Sequence, residues 1–122
     1  MTLKTSRADL LSRLNGLSAP VYDVGATIAD MWGVQLVPLR WELQPGSRAV
    51  LQVVNVVCYA PLTPYSEQHD AVEQLAMSVL EALAGTDYQF GTAIQFTVDP
   101  DAQPAYQAAS IEITYATHDL CG

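Results

Sequence analysis

Residues 48–61, RAVLQVVNVVCYAP, and residues 66–85, SEQHDAVEQLAMSVLEALAG, decide how this chain is read. The first stretch is rich in β-branched residues and long enough to cross a whole sheet, so it predicts a strand over Arg48–Tyr59. Pro61 and Pro64 then stop it. In the second stretch Val72, Leu75, Ala76, Val79, Leu80 and Leu83 fall on one helical stripe opposite Glu73, Gln74 and Ser78, the pattern of a helix that packs on something. Ser66 reads as its N-cap, Glu67 and Asp70 suit the positive end of its dipole, and Gly85 closes it through a left-handed cap.

Working outward, Gln44-Pro45-Gly46-Ser47 places Pro-Gly at the centre of a type II turn, since proline presets φ and glycine supplies φ > 0. The strand after it is therefore the return arm of a hairpin. Upstream, Pro20, Gly25, Gly33 and Pro38 cut the chain into short pieces, among which Val21–Val24 and Val34–Leu39 read as strands. Before them, Leu10, Leu11, Leu14 and Leu17 recur at helical spacing behind a Ser6/Asp9 capping box, predicting a helix over Ser6–Asn15 that Gly16 ends by taking φ > 0. Downstream of Tyr88 the period changes to two. Phe90, Thr92, Ile94, Phe96 and Val98 share one face, Asp99-Pro100-Asp101 turns the chain, and Ala109, Ile111, Ile113 and Tyr115 alternate again, predicting a second antiparallel hairpin.

The order helix, hairpin, helix, hairpin is that of an α+β fold: a mainly antiparallel sheet with two helices packed on one face, the other face left open. At 122 residues the chain fits a single domain spanning 1–122. Half its residues are hydrophobic and 15% are charged, which excludes a disordered segment. The longest apolar stretch, Val50–Leu62, is interrupted by Gln52, Asn55 and Pro61, so no membrane span is expected, and polar residues near the start speak against a signal peptide. The cytoplasm is the expected location. With a net charge of −8 and only Lys4, Arg7, Arg13, Arg40 and Arg48 as cations, unclustered, tight nucleic-acid binding is not expected. Cys58 and Cys121 read as free thiols.

Three groupings resemble chemistry and are better explained otherwise. Ser66, His69 and Asp70 lie within one helical turn, whereas a working triad converges from separate elements; capping accounts for Ser66. His118 and Cys121 sit at the C-terminus without the further ligands a zinc frame needs. Asp99 and Asp101 lack the glycine and distal glutamate of a calcium loop, and turn formation explains them. No catalytic residue, metal or cofactor is expected, and the chain reads as a non-enzyme. What stands out is aromatic material in weakly structured places: Met31, Trp32, Trp41, Tyr59, Tyr65 and Tyr106. Core burial is one account of them; a protein interface, where aromatics are enriched, is the other.

The leading helix "TSRADLLSRLNGL", the long strand "RAVLQVVNVVCYAP" running into the helix "SEQHDAVEQLAMSVLEALAG", and the closing hairpin "AIQFTVDPDAQPAYQAASIEITYAT" together resemble the tail terminator (tail completion) proteins of long-tailed bacteriophages. The resemblance covers nearly the whole chain and departs most over Val21–Trp41. It implies a structural protein of the virion tail or neck: a ring, usually of six copies, that caps the tail tube, ends tube polymerisation and docks the head-tail connector protein. Its partners would be itself, the tail tube protein and the connector, with viral DNA passing through the lumen without tight binding. Trp32, Trp41, Gln44, Arg48, Asp99, Asp101 and Tyr106 are the expected interface residues, with the loops at Gln44–Arg48 and Asp99–Pro104 reaching neighbouring subunits and an acidic lumen repelling the genome. The other readings are a different neck or head-completion protein and a small ligand-binding or enzymatic domain, such as a ferredoxin-like dimer, which calls for a pocket of convergent polar groups.

Overall fold

The computed structural model describes residues 3–17, 19–28, 32–43, 46, 49–61, 67–101 and 105–117. Along them run α1 (Leu3–Leu14), β1 (Val21–Tyr22), β2 (Gly33–Leu43), β3 (Val50–Pro61), α2 (Glu67–Leu83), β4 (Gln89–Asp99) and β5 (Tyr106–Thr117). The fold is α+β, with two helices and one five-stranded sheet of order β1-β2-β3-β5-β4. Every pairing is antiparallel except β1 with β2. The element order is not the β-α-β-β-α-β of a ferredoxin-like domain.

β3 is the spine. It pairs with β2 from Gly33↔Tyr59 to Leu43↔Val50 and with β5 from Pro61↔Tyr106 to Val50↔Thr117. Because β3 and β4 are both antiparallel to β5, they run parallel to each other with β5 between them, and α2 is the crossover that joins them. The expected strand at Arg48–Tyr59 is thus displaced by two residues to Val50–Pro61, and the expected hairpins are both present. Gly46 takes φ 74°, as the turn reading requires.

Alternation along the strands sorts the core. Val34, Leu36, Val54, Val56, Cys58, Ala60, Ala109, Ile111, Ile113 and Tyr115 form one cluster with Leu10 and Leu14 of α1 and with Val72, Leu75, Ala76, Val79 and Leu83 of α2. The stripe expected on α2 is the buried one, Leu80 being half-buried, and Glu73 and Gln74 are exposed opposite it. Each such leucine contributes about 1.5–3 kcal/mol by leaving water. Gly85 closes α2 with φ 74°, and the amide and hydroxyl of Thr86 both donate to the Leu83 carbonyl. The Ser66 cap lies outside the described residues.

The first third of the chain departs from expectation. α1 begins at Leu3, so Ser6 lies inside the helix and cannot cap it. Asp9 is engaged instead by Arg13, one turn on, and by Tyr88. Gly16 does not take positive φ. The helix ends on tight turns, Asn15 N–H to Ser12 O at 3.3 Å and Leu17 N–H to Leu14 O at 3.1 Å, which need no left-handed residue. β1 is two residues long because Asp23 turns the chain, its carbonyl accepting from Ala26 N–H and its side chain from Val24 N–H. β2 outruns the expected Val34–Leu39, passing Pro38 by a register shift between Pro38 and Arg40.

The two-residue period predicted for β4 also breaks. A register shift separates Phe90↔Ile113 from Ile94↔Ile111, so two extra residues bulge between them. Gly91 sits in that bulge, where a Cβ would come within 3.1 Å of Glu112 Cβ. On the sheet face away from the core cluster, Arg40 and Glu112 meet at 3.6 Å across β3, over fully buried Val53. Both charges are exposed, so the pair adds little stability by itself.

Candidate assembly surfaces

The helices are shorter than the long strands. α1 and α2 span about 18 and 26 Å at 1.5 Å per residue, whereas strands of 11–12 residues reach about 37–40 Å. The sheet surface that carries the core cluster is therefore longer than either helix. At one end Trp41 and Leu43 of β2 are 57% and 77% exposed; at the other, Phe96 and Val98 of β4 are 51% and 56% exposed. These pairs occupy diagonal corners. Trp41 pairs with Gln52, which pairs with Tyr115, while Phe96 lies in the row Ala109–Cys58–Val34 at the opposite end of the sheet.

The expected interface residues do not form one patch. Trp32 packs half-buried against the core beside Gly33. Gly33 pairs with Tyr59, Tyr59 meets the Tyr106 ring edge-on at 5.5 Å, and Tyr106 is the register partner of Asp99. Asp101 N–H donates to Asp99 Oδ1 at 3.3 Å, the turn anticipated for that pair. Trp32, Asp99, Asp101 and Tyr106 thus gather at one end of the sheet. Of the described ones, Trp41 stands at the other, nine residues along an extended chain, or about 30 Å. Gln44 and Arg48 lie outside the described residues, as do Ser66, His118 and Cys121; His69 and Asp70 fall in the first turn of α2.

A cavity of about 350 Å³ opens beside Trp41, beneath β2. Leu36, Pro38 and Val54 form its apolar floor, Val24 and Trp41 its rim, and Gln52, Tyr115 and Arg7 its polar groups. Tyr115 OH donates to Gln52 Oε1 at 3.3 Å, which satisfies a buried amide, and Arg7 is held to Asp23 at 3.3 Å. Burial pushes the Tyr115 hydroxyl above its ordinary pKa. A second hollow lies under the β4 bulge against Leu80 and Ile111. Among the described residues no group of three or more His, Cys, Asp or Glu is placed to hold a metal ion. Cys58 is buried and unpaired with another cysteine, and burial raises its thiol to about 12.

The sequence reading put Phe96 and Val98 on one face with Phe90, Thr92 and Ile94 and did not single out Leu43, Phe96 or Val98 as exposed. It also missed a sorting of charge. Residues 1–48 hold all five cations against four carboxylates, a net of +1, whereas residues 49–122 hold nine carboxylates and no lysine or arginine, a net of −9. The first group builds α1, β1 and β2, and the second builds β3, α2, β4 and β5, so the two are neighbours in space as well as in sequence. Counting charge by halves would have found it.

No model of a known protein family matches the chain, and no curated protein matches it in sequence. Among the described residues no helix is long and apolar enough to cross a membrane.

Proposed function

We propose that this chain is a ring-forming structural subunit of the phage tail terminator kind, which caps a tail tube, ends its polymerisation and docks the head-tail connector protein. Both helices lie on one face of the sheet in this reading, and the role involves no reaction at any side chain. The observation that carries it is the pair of apolar ends on opposite flanks of the sheet: Trp41 and Leu43 on β2, Phe96 and Val98 on β4. A subunit with two different sticky flanks associates head to tail, and head-to-tail contacts close into rings.

Six copies at −8 each would carry 48 negative charges, and the reading sets that charge toward a lumen through which DNA slides without binding. A ring structure with Arg40 lining the hole would overturn the acidic lumen. In this reading the segments 44–48 and 99–104 reach neighbouring subunits; shortening the second should weaken ring formation.

The experiment is the mass of the purified chain by light scattering, with negative-stain images, followed by addition to growing tail tubes. Rings of about six copies that arrest tube growth are expected. A monomer that leaves tube length unchanged would remove the reading. A second reading, a small-ligand-binding domain, draws on the cavity beside Trp41, whose volume lies at the lower end of ligand pockets; a small apolar compound that raises the melting temperature would favour it.

A further inference from the structure

We infer that the cavity beside Trp41 is a binding site for a neutral aromatic molecule of one or two rings that carries an N–H or O–H donor, of the phenol or indole class. The inference gives a ligand class to the small-ligand reading and rests on that reading; ring formation plays no part in it.

A β-bulge builds the site. Along β2, Val34, Leu36 and Pro38 alternate onto the core side of the sheet, opposite Cys58, Val56 and Val54. Unbroken alternation would bring Arg40 there next. The register shift between Pro38 and Arg40 sets Trp41 in that place instead, paired with Gln52, which pairs with Tyr115, while Arg40 turns to the far face and meets Glu112. Bulges recur beside functional sites because they re-aim a side chain in this way. Here the shift exchanges a cation for an indole at the rim of the cavity.

The polar corner is fixed by its own contacts. Tyr115 and Gln52 are both buried; the Tyr115 hydroxyl donates to Gln52 Oε1 at 3.3 Å, and its ring meets Tyr88 edge-on at 5.2 Å. With its proton committed to Gln52, the phenolic oxygen can still accept. A matching ligand therefore brings a donor. The wall that carries Val24 is held as well: Ala26 N–H donates to the Asp23 carbonyl at 3.1 Å, and Gln35 Nε2 donates to the Ala26 carbonyl at 2.6 Å.

Charge and size set the class. Arg7 is paired with Asp23 at 3.3 Å, and burial keeps the Tyr115 hydroxyl protonated. A carboxylate or an ammonium set against Leu36, Pro38 and Val54 would lose water and meet no uncompensated opposite charge among the described lining residues. A neutral ring avoids that cost and covers the half-exposed face of Trp41. A cavity of about 150 Å³ holds benzene, and this one, at about 350 Å³, has room for a second ring.

The test is isothermal titration calorimetry on the full chain with three probes: indole; indene, which has the same shape without the N–H; and indole-3-carboxylate, the same rings with a charge. Indole should bind and raise the melting temperature. Indene should bind about fivefold more weakly, the ratio that one neutral hydrogen bond supplies, and the carboxylate at least about tenfold more weakly. Trp41→Ala, at an exposed position, should keep the wild-type far-UV spectrum and bind indole at least about tenfold more weakly. Tyr115→Phe should make indole and indene equal; should that variant fold poorly, the indole-to-indene ratio in the wild type carries the same test. Indene bound as tightly as indole by the wild type, or the carboxylate bound more tightly than indole, overturns the ligand class and leaves the small-ligand reading standing. Undiminished binding of indole to Trp41→Ala overturns the site. If none of the three binds at about 1 mM, the inference and the small-ligand reading fall together.

Discussion

The hydroxyl of Tyr88 donates to Oδ2 of Asp9, 79 residues earlier in the chain. Arg13 Nε donates to the same oxygen at 2.9 Å, and its guanidinium lies 5.6 Å from the Tyr88 ring centre. Tyr88 in turn meets Tyr115 edge-on at 5.2 Å. These contacts fasten α1 to the start of β4. The hydrogen bond from Tyr88, and after it the one from Arg13, holds the Asp9 carboxyl below the usual aspartate range. Burial, and after it the bond to Asp9, pushes the Tyr88 phenol well above its usual value.

Both shifts make stability depend on pH, in opposite directions. A depressed carboxyl stabilises the fold above its unfolded pKa of 3.8, and that stability is lost as pH falls through the lower folded value. A raised phenol stabilises below its unfolded pKa of 10.0, and that stability is lost as pH climbs toward the higher folded value. Tyr88→Phe should lower stability by about 1 kcal/mol at neutral pH and flatten the melting-temperature profile above pH 10. Asp9→Asn should flatten the acid limb below pH 4. Profiles parallel to wild type would contradict the assignment.

Gly33 carries the parallel pairing of β1. Its φ of 133° lies in a region that residues with side chains avoid, and a Cβ there would stand 2.6 Å from the Pro20 carbonyl oxygen, the group that accepts from Val34 N–H. Gly33→Ala should cost about 3 kcal/mol, read by urea unfolding. Gly16→Ala, with open space around its Cβ and no positive φ, should cost under about 1 kcal/mol.

Cys58 has a thiol raised to about 12 by burial, so very little thiolate exists near neutrality. Iodoacetamide at pH 8 should leave it unmodified in the folded protein and label it fully in guanidinium chloride, followed by mass spectrometry of the peptide that contains it. Labelling of the native protein at the denatured rate would mean that the core over β3 opens readily.

In the proposed ring, copies that each carry −8 repel one another while apolar surface draws them together. Raising sodium chloride from about 0.1 to about 1 M shortens the screening length from about 10 to about 3 Å. Assembly should therefore strengthen with salt, seen as a lower dissociation constant in sedimentation. Dissociation by salt would mean that ion pairs, and not apolar contacts, hold the subunits together.

The sequence displayed α2 and β3 plainly because a single period ran through each: Val72 to Leu83 on one stripe, Val54 to Ala60 on one face. Both hairpins were equally legible from Pro45-Gly46 and Asp99-Pro100-Asp101. The first third was harder for a reason visible in the fold. Asp9, which mimicked half of a capping box, is consumed by Tyr88, a partner that no local window contains. The bulge at Gly91 left no periodic trace, since the residues on either side of it still look alternating. Of the two tryptophans read as interface candidates, Trp41 is exposed and Trp32 is partly core. Phe96 and Val98 could not be separated from Ile94 by pattern alone. What separates them is the distance α2 reaches along the strand, which is a property of two elements together.

The confinement of lysine and arginine to the first 48 residues also governs how the protein meets reagents. Trypsin cuts only after those side chains, so everything from Ala49 onward is one uninterrupted fragment, however far the fold loosens. Digestion with trypsin reports on the leading helix and the first hairpin alone. Following β4 and β5 takes an enzyme that cuts at aromatic or acidic residues, and Phe96 is itself one such mark.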